Sequence, residues 1–385
     1  MPQEKLLLIP GPSPVHPRII NRLSIPTVSH VGPEMVEELR GAVANLKKIV
    51  DCADGEAFII PGAGTLAMEM AVLNTIGRGE KALILSHGYF GDRMADIFAA
   101  FGLEADVLKP PWGQAVLPEE LAKKLRESVY VAVICTHVDT ATGTCAPVEA
   151  YASLLKGREE LFIVDGVCAT GGIEEFMDSW GIDIVLTAAQ KCFGAPPGLA
   201  ILVLSRRAME KRKSLSSIPA YYSDLMRWLP VMQDPAKYFS TPCVNEIRAF
   251  YEATLLVLEE GLEKRFERHR RVARAIRAGL HELGFSFFTA EAFLAPTLSV
   301  VLYPSGIDDR HFRALLYENG VVVAGGLGPT SGQVFRMGHM GNLSVDQVLF
   351  ALRAVENTLV SLNYSVNPGL AVAAARSYLE AKLPS

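Results

Sequence analysis

The chain has 385 residues, 50% of them hydrophobic and 21% charged, with a formal net charge of −5. That length buries a large core and favours two domains, and the mild acidity gives no electrostatic reason to expect nucleic acid or an anionic membrane as the main partner. Cys52, Cys135, Cys145, Cys168, Cys192 and Cys243 form no CxxC pair or zinc-like cluster, so neither a metal site nor a disulfide framework is expected, and the thiols should be reduced and mostly buried.

In chain order, Leu6-Leu7-Leu8-Ile9 runs into Pro10-Gly11-Pro12. The apolar run is too short for a signal h-region or a membrane span. The closing Leu-Pro-Ser is not a peroxisomal address, so the cytoplasm is the expected location. Short, β-branched, non-alternating runs follow at Ala57–Ile60, Ala82–Leu85, Val129–Cys135, Leu161–Val164, Ile182–Leu186 and Leu199–Leu204. Such runs predict strands buried on both faces. Between them Thr65–Ile76, Asp92–Phe101 and Pro118–Arg126 carry apolar residues at helical spacing, and the alternation predicts an α/β domain with a largely parallel sheet. From about Ser240 the texture changes to a long charged helical stretch, Glu246–Leu283, and then to strand-like pieces at Leu298–Leu302 and Val321–Ala324. The expected organisation is an N-terminal arm over 1–15, a large α/β domain over 16–260 and a small α+β domain over 261–385.

Several residues along this pattern can carry chemistry. Gly62-Ala63-Gly64-Thr65 lies between a strand and a helix, where glycines let the backbone close on a phosphate and Thr65 adds a hydroxyl. The turn lacks the P-loop lysine and the GxGxxG spacing, which counts against nucleotides, yet a threonine-capped glycine turn is also common in any α/β protein. Phe90, in His87-Gly88-Tyr89-Phe90-Gly91, can cover a flat cofactor or can simply be a core aromatic. His30 and His137 read as structural histidines. Asp165 and Lys191 each end an apolar run, which puts them at carboxyl ends of parallel strands, where ligands bind. There a carboxylate can pair with a protonated pyridine nitrogen and a lysine can form an imine with an aldehyde. Alternatively Asp165 caps the following turn and Lys191 is a surface lysine. Arg336, flanked by Val334-Phe335 and Met337-Gly338, should be half-buried, either clamping a substrate carboxylate or closing a structural ion pair.

Together the motifs Pro10-Gly11-Pro12-Ser13, Thr136-His137, Thr142-Gly143, Val164-Asp165, Gly171-Gly172, Gln190-Lys191, Ala195-Pro196-Pro197-Gly198 and Gly325–Gly338 resemble the class V aminotransferases, specifically the alanine–glyoxylate and serine–pyruvate group. The similarity runs from about Leu7 to Glu356. It implies a type I pyridoxal-phosphate-dependent transferase fold, with a mostly parallel seven-stranded sheet in the large domain. It implies pyridoxal 5'-phosphate as cofactor, with Lys191 forming the internal aldimine and shuttling the proton, and Asp165 partnering the pyridinium. Phe90 matches the stacking ring, Val167 the packing residue on the other face, and Gly64, Thr65 and Gln190 the phosphate-binding positions. Thr140 matches a hydroxyl contact near the cofactor, and Arg336 with Gly11 the substrate-binding positions. Tyr238 and Thr241 match positions that reach the neighbouring subunit's phosphate in a homodimer. Pro14 stands where an asparagine is usual, and Gly166 and Ala169 replace serines.

The resemblance therefore implies a ping-pong aminotransferase that moves the amino group of alanine or serine to glyoxylate or pyruvate. A related lyase, a cysteine desulfurase and a noncatalytic subunit of the same fold are the alternatives. The role of the tail after about Leu359 is not legible in the sequence.

Overall fold

The computed structural model describes residues 5–380. Seven strands form the central sheet: β1 (Glu56–Pro61), β2 (Lys81–Leu85), β3 (Glu104–Leu108), β4 (Ala132–Thr136), β5 (Leu161–Asp165), β6 (Ile184–Ala188) and β7 (Leu199–Leu204). Their order is β1-β7-β6-β5-β4-β2-β3. Every pairing from β6 to β3 is parallel, while β7 is antiparallel to both of its neighbours. This is the mostly parallel seven-stranded sheet that the resemblance implies. Strands β4 to β7 are buried along their whole length, as their unbroken apolar runs require, because helices cover both faces.

The structure corrects several boundaries. Val129 is 91% exposed, and β4 begins only at Ala132. Strand β6 starts at Ile184, because Asp183 is occupied in accepting from the Phe162 amide at 2.8 Å. Strand β3 has no counterpart among the apolar runs. It pairs only with β2, at the sheet edge, so Glu104 and Asp106 meet solvent there and no apolar run is needed. The long charged stretch is two helices, α3 (Val244–Glu260) and α4 (Leu262–Glu282), separated by Gly261 at φ +83°. A left-handed residue cannot continue an α-helix, and glycine is the residue that adopts it without steric cost.

A second apolar core gathers one face of α4, strand Leu298–Leu302, strand Val334–Gly338 and the helices Asp309–Glu318 and Val345–Ser361. The piece around Val321–Ala324 divides: Val321–Val322 pairs in parallel with Leu6–Leu7, whereas Ala324–Gly325 pairs with Val334–Gly338. The N-terminal arm is thereby tied to the second core, and Leu8 is buried in it. The tail has a packing role. Helix Leu370–Leu379 buries Ala371, Val372, Ala375 and Leu379 in the second core, and Glu356 accepts from the amides of Gly369 (3.0 Å) and Ala371 (3.3 Å) at its start.

Among the described residues no helix is long and apolar enough to cross a membrane, and no His/Cys/Asp/Glu group is arranged to hold a metal ion. All six cysteines are unpaired, four of them buried.

Candidate active site

Because β1, β2, β4, β5 and β6 point the same way, the segments leaving their carboxyl ends meet at one edge of the sheet. A cavity lies there, and eight residues marked by the sequence line it: Gly64, Thr65, Phe90, Thr140, Asp165, Val167, Gln190 and Lys191. Asp165 is the last residue of β5. Lys191 is not the end of a strand as expected; β6 stops at Ala188, and Lys191 sits in the turn beyond it.

The N-terminal arm holds that turn. Ser13 donates its amide to the Gln190 carbonyl (3.0 Å) and its hydroxyl to the carbonyls of Lys191 (2.6 Å) and Gln190 (3.4 Å). The Lys191 ammonium donates to the Pro10 carbonyl. Gly11, at φ +102°, lies against the lysine, and a Cβ there would fall 2.6 Å from Lys191 Cε. The Pro-Gly-Pro segment is therefore a support for the lysine, and glycine is required both by the backbone and by the lack of room.

Asp165 is buried and accepts from the Val167 amide at 3.1 Å and from the Thr136 hydroxyl at 3.5 Å, but it has no cationic partner among the described residues. Burial pushes its carboxyl up to about 7; the two donors oppose this, and the charges of Asp139 and Glu175 add to it. Beside it His137 meets Glu175 at 2.7 Å, and Thr170 donates to the other Glu175 oxygen at 2.6 Å. Burial opposes charge on His137, but its contacts with Cys145 and Glu175 prevail and raise it to about 10. His137 is thus a paired structural cation, in keeping with its reading from sequence. The space for this pair exists because residue 166 is glycine: a Cβ there would lie 2.6 Å from Glu175 Oε1.

Helix α1 (Gly64–Leu73) enters the cavity with no side-chain cap from Ala63, which leaves its first amides facing the cavity. A Cβ on Gly64 would approach Val167 Cγ2 to 3.1 Å. Gln190 Oε1 is buried without a hydrogen-bond partner. Phe90 lies in the first turn of α2 (Tyr89–Ala100), and its amide donates to Asp139 Oδ2 at 2.8 Å. Arg336 donates to the carbonyls of Gly325 (2.7 Å) and Thr140 (3.3 Å) and has no carboxylate partner among the described residues, so the structural ion pair is not formed. Burial holds its guanidinium below its ordinary value.

Tyr238 and Thr241 do not line the cavity. Tyr238 is 63% exposed, 3.4 Å from the Thr241 hydroxyl and tilted against His30 with ring centroids 5.4 Å apart. Sequence reasoning also missed lining residues, chiefly Arg93, whose Nη1 donates to Thr65 Oγ1 at 3.1 Å. Its signal was the three-residue spacing from Phe90, which puts both on one helix face.

A buried acid without a cation, a lysine held by a backbone support and an uncapped helix start fit an aromatic aldehyde cofactor that brings its own cationic ring and its own phosphate. The class so defined is a pyridoxal-phosphate-dependent transferase. The family model for class-V aminotransferases matches residues 20–348, and the chain belongs to that family: it is a transaminase whose cofactor is pyridoxal phosphate. An uncharacterized aminotransferase of Methanocaldococcus jannaschii is 38% identical over 94% of each chain. Alanine–glyoxylate aminotransferase 1 of Saccharomyces cerevisiae is 33% identical over 87% of this chain and 91% of its own. The crystal structure of ureidoglycine–glyoxylate aminotransferase from Bacillus subtilis superposes with a TM-score of 0.93 at 28% identity, covering 99% of each chain.

Proposed function

We propose that the enzyme moves the amino group of a small L-amino acid, alanine or serine, to glyoxylate or pyruvate, with Lys191 and Asp165 as catalytic residues. The observation that carries this reading is that Lys191 and the cation-free Asp165 line one cavity while the carboxylate-free Arg336, outside its lining, donates to the carbonyl of Thr140, which does line it. When bound, pyridoxal phosphate supplies an aldehyde that condenses with amines and a ring that withdraws electrons from the substrate Cα–H bond. Asp165 would pair with the ring nitrogen and keep it protonated. Phe90 and Val167 would hold the ring, Thr140 would offer a hydroxyl, and Gly64, Thr65 and Gln190 would hold the phosphate. Arg336 grips the substrate carboxylate, and Gly11 keeps the lysine's space clear. Lys191 Nζ removes the donor's Cα proton and, in the second half-reaction, returns a proton to the acceptor's Cα.

A small 2-oxo acid acceptor is supported by two of the relatives above, which carry glyoxylate in their names. The exposed Tyr238 and Thr241 are proposed to complete the phosphate site of a second copy in a cytoplasmic homodimer. The division into an arm over 1–15 and domains over 16–260 and 261–385 is supported by the two separate cores and the helix break at Gly261. Desulfurase chemistry has less support. Of the cysteines, Cys168 lines the cavity, and burial pushes its thiol up to about 11, away from the thiolate that sulfur transfer needs.

The test is the visible absorption of the cofactor-loaded enzyme. It should bleach with L-alanine or L-serine and return with glyoxylate, and double-reciprocal plots should be parallel. Intersecting plots, or an unchanged spectrum with both donors, would sink the assignment.

A further inference from the structure

Arg93 plays no part in the roles assigned above, yet it lines the same cavity. It lies one turn into α2, where it shares a face with Phe90, and its guanidinium carbon stands 4.6 Å from the Phe90 ring centroid and 5.4 Å from that of Tyr89. One of its five donors is used on the Thr65 hydroxyl, at 3.1 Å, and no carboxylate pairs with it among the described residues. The acid next to it in sequence, Asp92, is already engaged by Lys109 and by the Ser86 hydroxyl, both at 2.6 Å.

We propose that Arg93 anchors the cofactor's phosphate from within its own chain, an inference that rests on the pyridoxal-phosphate reading of this cavity. Thr65 is the second residue of α1, so the hydrogen bond sets a full positive charge beside the uncapped, partly positive start of that helix. Two positive fields brought together without an acid are unfavourable unless an anion joins them, and the planar fork of arginine matches a phosphate's oxygens. Gln190, with its orphaned Oε1, lines the same cavity and, with its amide turned about, offers Nε2 as a further donor. A substrate carboxylate is the weaker occupant. The guanidinium proposed to grip it, Arg336, is tied to the carbonyls of Thr140 and Gly325, whereas Arg93 is tied to the helix start.

The experiment compares two ligands that differ only in the phosphate. Protein stripped of cofactor is titrated with pyridoxal phosphate and with pyridoxal, following cofactor absorbance or intrinsic fluorescence, for the wild type, Arg93→Gln and Arg93→Lys. Arg93→Gln should weaken pyridoxal phosphate roughly ten- to a hundredfold, the range of a charge-assisted hydrogen bond, and leave pyridoxal within about twofold. Arg93→Lys should recover part of the loss. Equal weakening of both ligands would mean that Arg93 only packs against Phe90, and would overturn the proposal. So would unchanged cofactor affinity accompanied by a raised KM for a dicarboxylic donor, which would assign Arg93 to substrate. Wild-type protein that binds neither ligand would bring down the cofactor reading itself, whereas a failure confined to Arg93→Gln leaves that reading standing.

Discussion

Two polar regions of this molecule bury charge in opposite ways. In the large core Glu38 is clamped between Arg22 at 2.5 Å and Arg248 at 2.7 Å. Not far along the chain from α3, Arg265 spends its donors on the carbonyls of Gly171 (2.7 Å) and Cys192 (2.6 Å) and on Glu260 (2.7 Å). In both places each charge meets an opposite one. At the carboxyl edge of the sheet, Asp165 has no cation, Arg336 and Arg93 have no anion, and Gln190 keeps an unpaired oxygen, all as judged among the described residues. At that edge an acid and two arginines stand without the opposite charges that a ligand can bring.

The comparison can be broken at either end. Replacing Lys191 by alanine should lower the rate of the donor half-reaction by about 10²–10⁴-fold or more, the range of positioned acid–base catalysis, while leaving the urea midpoint nearly unchanged. Near-normal turnover would remove Lys191 from the reaction. Arg248→Ala should do the reverse: leaving Glu38 with Arg22 alone costs roughly 1–3 kcal/mol of stability, read in urea unfolding, with cofactor affinity in the surviving folded protein preserved. Asp165→Asn should weaken cofactor binding about ten- to a hundredfold; equal affinity in the two proteins would show that no charged hydrogen bond is made there. Gly11→Ala forces a side chain into a left-handed position and against the lysine, so about 1–3 kcal/mol of stability and a large part of turnover should go together.

A further effect lies in pH. In protein stripped of cofactor, Asp165 titrates near 7, above its ordinary 3.8. Between those values the folded chain keeps a proton that the unfolded chain has lost, so the Asp165 contribution to stability falls as pH rises from about 4 to about 7. Asp165→Asn should flatten that decline in urea midpoints. His137, raised from 6.5 to about 10, produces a second decline between those values that should survive the same substitution. A wild type and an Asp165→Asn protein with identical profiles below neutrality would show that Asp165 is not buried as described.

Much of this was legible in the sequence where one physical cause dominates. Unbroken apolar runs gave β5 and β7 to within a residue, because strands covered on both faces have no other way to be written. Edge strand β3 was not legible, since half its residues face water and its pairing partner lies on one side only. The break at Gly261 was hidden inside a pattern that is helical on either side of it. Eight of the marked site residues meet at the cavity because each follows a strand of the same sheet. Arg93 escaped because an arginine on an amphipathic helix reads as a solvated charge until the tertiary fold turns it inward. Tyr238 and Thr241 stay apart from the cavity, so the role proposed for them requires a second copy of the chain.

The pairing of Leu6–Leu7 with Val321–Val322 has a consequence for the order of assembly. During synthesis the arm leaves the ribosome first, yet its strand partner is made only after most of the chain, and domains fold from the N-terminal side as they emerge. The large sheet can form while the arm is still free. Only when the second core arrives does the arm settle, bring Pro10 and Ser13 to the Lys191 turn and fix the lysine in place. The Lys191 amine is thus held only in a completed molecule, and a chain truncated before residue 321 would keep much of its sheet but lack the support on which that amine rests.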